Sequence, residues 1–117
     1  MLSNLTNMTW GFSGKPAKRE DVVNCVPEGW HNIVNTLIDD LLALGWDGQV
    51  FQAKEKFGGL RFYIGPGNEG IWDRISQAEK ESYKTCEVCG EPGEERNPFG
   101  WIKTLCDEHA KLYGNRR

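Results

Sequence analysis

Cys86 and Cys89 as C-x-x-C, followed by Cys106 and His109 as C-x-x-H, constrain this chain more than any other residues. Three soft thiolates and one imidazole make a complete tetrahedral donor set, with no corner left for a substrate. The spacing predicts one structural Zn²⁺ per chain, held by Cys86, Cys89, Cys106 and His109. The alternative, a disulfide beside an ordinary histidine, fits a reducing compartment poorly. Cys86-Glu87-Val88-Cys89-Gly90 reads as a knuckle, with Gly90 tolerating the backbone angles that follow. Asn97-Pro98-Phe99-Gly100 reads as a turn joining short strands near 94–96 and 101–105. Cys106 and His109, three apart, then project from the first turn of a final helix onto one side. Knuckle, hairpin and ligand-bearing helix make a treble-clef-like lobe.

Upstream, Trp30, Val34, Leu37, Leu41 and Leu44 recur at spacings of four and three, which predicts a helix over 27–44 with Pro27 in its first turn and Gly45 at its stop. Residues 49–64 alternate as strands do and are broken by Gly58-Gly59, a two-residue hairpin signal. With those glycines as the loop, Phe57 faces Leu60, Glu55 faces Phe62 and Ala53 faces Ile64, giving an apolar face that contains one acid. A basic partner such as Arg96 or Arg74 is then expected for Glu55. The opposite face carries Lys54, Lys56, Arg61 and Tyr63. Gly65-Pro66-Gly67-Asn68 is a turn, and Ile71, Ile75, Ala78 and Ser82 mark a second helix to about residue 84. The expected class is α+β: helix, β-hairpin, helix, then the zinc lobe. It divides into an irregular arm (1–24), anchored by Trp10 and Phe12, a helix–hairpin–helix core (25–84) and the lobe (85–117).

The formal net charge of -3 falls to about -4 once three thiolates and a dication are counted. That disfavours nonspecific nucleic-acid binding and is far too little for a nucleic-acid mimic. The first ten residues lack a basic start and an apolar core segment, and nothing approaches a membrane span, so a cytoplasmic protein is expected. Cys25, outside the metal set, reads as a small buried hydrophobe, and His31 as a structural residue of the first helix.

The runs Lys54-Glu55-Lys56-Phe57-Gly58-Gly59-Leu60-Arg61-Phe62-Tyr63 and Ala78-Glu79-Lys80-Glu81-Ser82 also form a recurring pattern with Cys86-Glu87-Val88-Cys89-Gly90 and the segment from Gly100 to His109. Together with Gly29-Trp30 they make residues 29–110 resemble a family of small proteins of bacteria, phages and prophages. The resemblance implies a phage or mobile-element accessory gene, of the sort that often blunts host defence, and it brings no catalytic residues.

No paired carboxylates, nucleophile–base pair or open metal site stands out, so a non-enzyme is expected. Binding candidates are Lys54, Lys56, Arg61 and Tyr63 on the hairpin, with Phe99 and Trp101 as aromatic anchors on the lobe. A solvated strand face and packed lobe aromatics are the plainer explanations of the same residues. The expected partner is a host protein or ribonucleoprotein complex, such as a CRISPR complex. Direct nucleic-acid binding and capture of a small nucleotide-like ligand are the alternatives.

Overall fold

The apolar stripe of the first long helix needs a surface to bury against, and a small mixed sheet supplies it. In the computed structural model, which describes residues 8–97 and 102–114, the elements run β1 (Met8–Trp10), β2 (Pro16–Ala17), α1 (Arg19–Val23), α2 (His31–Ala43), β3 (Gln49–Lys56), β4 (Gly59–Ile64), α3 (Glu69–Ser82), β5 (Glu94–Arg96), β6 (Lys103–Leu105) and α4 (Asp107–Gly114). One turn of 3₁₀ helix, Glu28–Trp30, leads into α2. The protein is therefore mixed α+β, and no helix among the described residues is long and apolar enough to cross a membrane.

Four strands form one sheet in the order β2-β1-β3-β4, and β5 pairs with β6 in a separate ribbon. The core lies between the sheet and the helices. Val34, Leu37, Ile38 and Leu41 of α2 are buried with Val50, Ala53, Leu60 and Phe62 of the sheet, Ile71 and Ala78 of α3, and Trp30 and Trp46. Ion pairs tie the helices around this core: Arg19 of α1 to Asp39 of α2 at 2.6 Å, and Arg74 of α3 to Asp40 of α2 at 2.7 Å.

Three features differ from the sequence reading. The first is the stretch read as an irregular arm. Its described part holds β1, β2 and α1, with β1 running parallel to β3 and antiparallel to β2. Trp10 packs against the core, and Phe12 is exposed with its ring edge-on to Phe51.

The second is the hairpin turn, which is Phe57-Gly58 rather than Gly58-Gly59. Phe57 has φ 55° and Gly58 φ 79°, the two positive values a type I′ turn requires. Lys56 thus pairs with Gly59, Glu55 with Leu60, Lys54 with Arg61 and Ala53 with Phe62. Moving the loop by one residue slides each partner by two positions, and with a pleat of period two the faces are kept. Phenylalanine is an ill-suited occupant of that turn. Phe57→Asn should raise stability by about 0.5–1 kcal/mol, after allowing for the lost contact with the Lys56 ammonium, and a urea midpoint at unchanged slope would show it.

The third concerns Glu55, whose carboxylate accepts the Gly58 N–H at 2.8 Å within the turn. Neither Arg96 nor Arg74 is its partner: Arg96 pairs with Asp107 and Glu94, and Arg74 with Asp40.

Strand β4 is an edge of the sheet, and α3 covers it. The outward N–H of Leu60 donates to the buried Ser82 Oγ at 2.8 Å, and the same hydroxyl donates to the Glu79 carbonyl at 2.6 Å. One side chain thus satisfies an edge-strand amide that water cannot reach. Ser82→Ala leaves that amide unpaired and should lower stability by about 1–3 kcal/mol, readable in the same urea titration.

Candidate metal centre and outer sheet face

The segment after α3 turns back on itself: Thr85 bridges Pro92, and the Cys86 N–H donates to the Glu91 carbonyl at 2.7 Å. The Gly90 N–H closes onto the Cys86 carbonyl at 2.9 Å, and Gly90 takes φ 85°, so the knuckle needs a glycine there. Ribbon β5–β6 then delivers Cys106 at the start of α4. His109 lies one helical turn further along, its own N–H directed at the Cys106 sulfur at 3.5 Å.

This brings Cys86, Cys89, Cys106 and His109 together with all four donor atoms within 4.8 Å of one another. Bonds of about 2.3 Å to sulfur and about 2.0 Å to nitrogen place the edges of a regular tetrahedron at about 3.8 Å for S···S and about 3.5 Å for S···N. The separations in the structure are 3.8 Å for Cys89 Sγ–Cys106 Sγ, 3.6 Å for Cys86 Sγ–His109 Nδ1 and 3.2 Å for Cys106 Sγ–His109 Nδ1. The donor set therefore fits a single four-coordinate ion, with Nδ1 of His109 as its nitrogen ligand.

The electrostatics fit a cation as well. Burial alone would push the Cys86 thiol up. The backbone N–H groups of Cys106, Cys89 and Val88, helped by the Cys106 thiol, overcome that and hold it at about 6. At Cys89 the Glu91 N–H favours the thiolate, but desolvation and the Cys106 and Cys86 sulfurs outweigh it and the thiol is raised. Crowded sulfurs that compete for protons are the surroundings that a metal ion relieves.

Glu87, between the two knuckle cysteines, is a buried carboxylate that the sequence reading passed over. It accepts the Thr104 N–H at 3.0 Å and pairs with Lys103 at 3.3 Å, while its backbone N–H donates to the Thr104 carbonyl. The knuckle is thereby laced to β6. The lobe in turn is laced to the rest of the chain. Gly29 N–H donates to the Glu87 carbonyl at 2.8 Å, the Trp30 indole N–H to the Thr85 carbonyl at 2.9 Å, and the Thr104 hydroxyl to the Gly58 carbonyl at 2.7 Å. The only sequence signals for this docking are Gly29 beside Trp30 and the acid inside C-x-x-C.

Lys54, Lys56, Arg61 and Tyr63 lie together on the face of β3–β4 opposite Ala53, Leu60 and Phe62. Lys54 stands directly across from Arg61, and Tyr63 is exposed across from Gln52. Arg61 is engaged by Glu79 of α3, which the Tyr83 hydroxyl also approaches at 3.5 Å, and this cluster raises the guanidinium's pKa against the effect of desolvation. Phe99 and Trp101 lie outside the described residues. His31 holds the Val26 carbonyl at 3.2 Å, away from the metal set. Cys25 is exposed rather than buried. At the end of the turn over 65–68, Asn68 caps α3 by accepting the Ile71 N–H at 2.9 Å.

Comparison of the chain with known protein families, curated proteins and solved structures finds no match.

Proposed function

We propose that the chain is a non-catalytic binding protein whose C-terminal lobe is a treble clef stapled by one structural zinc. Zinc is the ion that three thiolates and an imidazole in tetrahedral array select. The observation that carries the reading is the closed donor set: four protein donor atoms within 4.8 Å of one another, two of the pairs at tetrahedral edge lengths, supply every ligand. The ion would hold the knuckle, ribbon and α4 in the shape that docks onto Gly29, Trp30 and Gly58, and recognition then falls to the exposed surface. With the resemblance to bacterial and phage proteins, the setting proposed is a phage-type accessory protein in the host cytoplasm. It would engage and inhibit a host protein or ribonucleoprotein complex, such as one of the CRISPR type.

Native mass spectrometry of the gently purified protein tests this directly. One zinc per chain is expected, together with the absorption of a tetrahedral thiolate site when cobalt replaces it. A metal-free protein with a folded lobe would overturn the reading.

A further inference from the structure

The outer face of the sheet differs in charge from the chain that carries it. Positions that point away from the core on β3 and β4 are Gln52, Lys54, Lys56, Arg61 and Tyr63, three cations and no acid in a chain with 17 acidic and 14 basic residues. Phe51 joins them. It is the extra residue where the β3–β4 register shifts, and its ring covers Gly11, the neighbour of core-packed Trp10 on β1. Phe12 stands edge-on to that ring at 4.8 Å and is 84% exposed, and Tyr63 is 46% exposed. Among the described residues α2 lies on the other side, and α3 runs along the β4 edge. The end of α3 reaches the face, where Glu79 pairs with the Arg61 guanidinium and Tyr83 packs over Gly59, while Lys56, Phe12 and Tyr63 stay exposed.

We infer that this open face binds single-stranded nucleic acid, deepening the macromolecule-binding reading above and resting on it. Charge complementarity selects a polyanion, and exposed rings beside the cations select one with flat, unpaired bases. Residues two apart on a strand lie roughly 7 Å from each other, so Lys54 and Lys56 are spaced to meet neighbouring phosphates of one strand. A duplex buries the base faces that Phe12 and Tyr63 would meet, which favours unpaired bases on this face. In a host ribonucleoprotein the same face would take an exposed stretch of its RNA or displaced DNA strand.

The test is fluorescence anisotropy with labelled 12-nucleotide oligo(dT) and oligo(U) on the zinc-loaded full chain. Two phosphate contacts, from Lys54 and Lys56, with Arg61 already paired to Glu79, predict a log–log salt slope of about -1.4, so affinity should fall roughly 7-fold between 50 and 200 mM salt. Tyr63→Ala should weaken binding about 10-fold at fixed salt, and Lys54→Ala should flatten the slope by about 0.7. Each variant must keep its zinc and its melting temperature; Lys56→Ala, at an exposed position, replaces any that does not. Failure to bind either oligonucleotide at 50 mM salt would overturn the inference, as would binding indifferent to these substitutions. If the oligonucleotides fail but Lys54→Glu abolishes nuclease-resistant capture of a host protein, the face recognises an acidic protein. In that case the inference falls while the binding reading stands.

Discussion

Cys86→Ser should release the metal and unfold residues 85–110 while α2 and the four-stranded sheet stay folded. Cys86 is fully buried, and among the described residues the apolar cluster of the lobe is Leu105, two of the cysteines and Ala110, so the ion is expected to carry most of the lobe's folding energy. Structural zinc contributes about 10–16 kcal/mol of apparent binding energy in small metal domains, far above what such a cluster supplies. The main core is a separate set of buried residues that includes no metal ligand, so it should outlast the lobe. Hydrogen exchange distinguishes the two regions. Amides of β6 and of the knuckle should lose protection, whereas those of α2 and β3 keep theirs. EDTA should reproduce the pattern in the unmodified chain, and Cys25→Ser, at an exposed position outside the cluster, should leave it unchanged. Retained protection of the Thr104 and Glu87 amides in Cys86→Ser would mean that the lobe folds without its metal.

What the sequence disclosed follows the range over which each signal acts. The metal set was legible because its ligands come in two short pairs whose spacing is itself the chemistry. The helix stripes and the two faces of the hairpin were legible because periods of 3.6 and 2 are read from neighbours. The hairpin loop was displaced by one residue because Phe57 occupies a left-handed position that residue preferences assign to Gly59. Even so, Lys54, Lys56, Arg61 and Tyr63 fell on the correct side, since a slide of two positions preserves the pleat.

Long-range relations were not legible. The parallel pairing of Thr9 with Gln49 joins strands 40 residues apart with no shared local pattern, so the segment holding β1 and β2 read as irregular. Glu55 was expected to seek an arginine because a carboxylate on an apolar face requires a partner. The partner proved to be a backbone N–H three residues away, created by the turn that had been misplaced. Arg61 offers a similar lesson: its position on the outer face was legible, but its ion pair with Glu79 depends on α3 lying along the strand edge.

Gly29→Ala should separate the lobe from the core without releasing the metal. Gly29 has no left-handed backbone to maintain; it is needed for space. A Cβ there would lie 2.1 Å from the Cys86 carbonyl oxygen and 2.6 Å from the Glu87 carbonyl carbon, both backbone atoms that no rotamer change can move. The same approach carries the Gly29 N–H to the Glu87 carbonyl and the Trp30 indole to Thr85, so pushing the segments apart breaks those bonds together. Forced overpacking of this kind destabilises by about 1–3 kcal/mol, and the two strained hydrogen bonds place this substitution at the upper end. A fall in melting temperature of roughly 10 °C is expected for a chain of this length. Because all four ligands lie within 86–109, the variant should still hold one metal ion per chain. Trp30 fluorescence should shift as its indole loses the Thr85 carbonyl, and exchange should rise at 28–31 while the knuckle amides stay protected. Cys86→Ser predicts the opposite, metal lost and knuckle open, so the two variants together separate what the ion does from what the interlocked backbones do. A Gly29→Ala protein that melts like the parent would show that the lobe does not rest on this glycine.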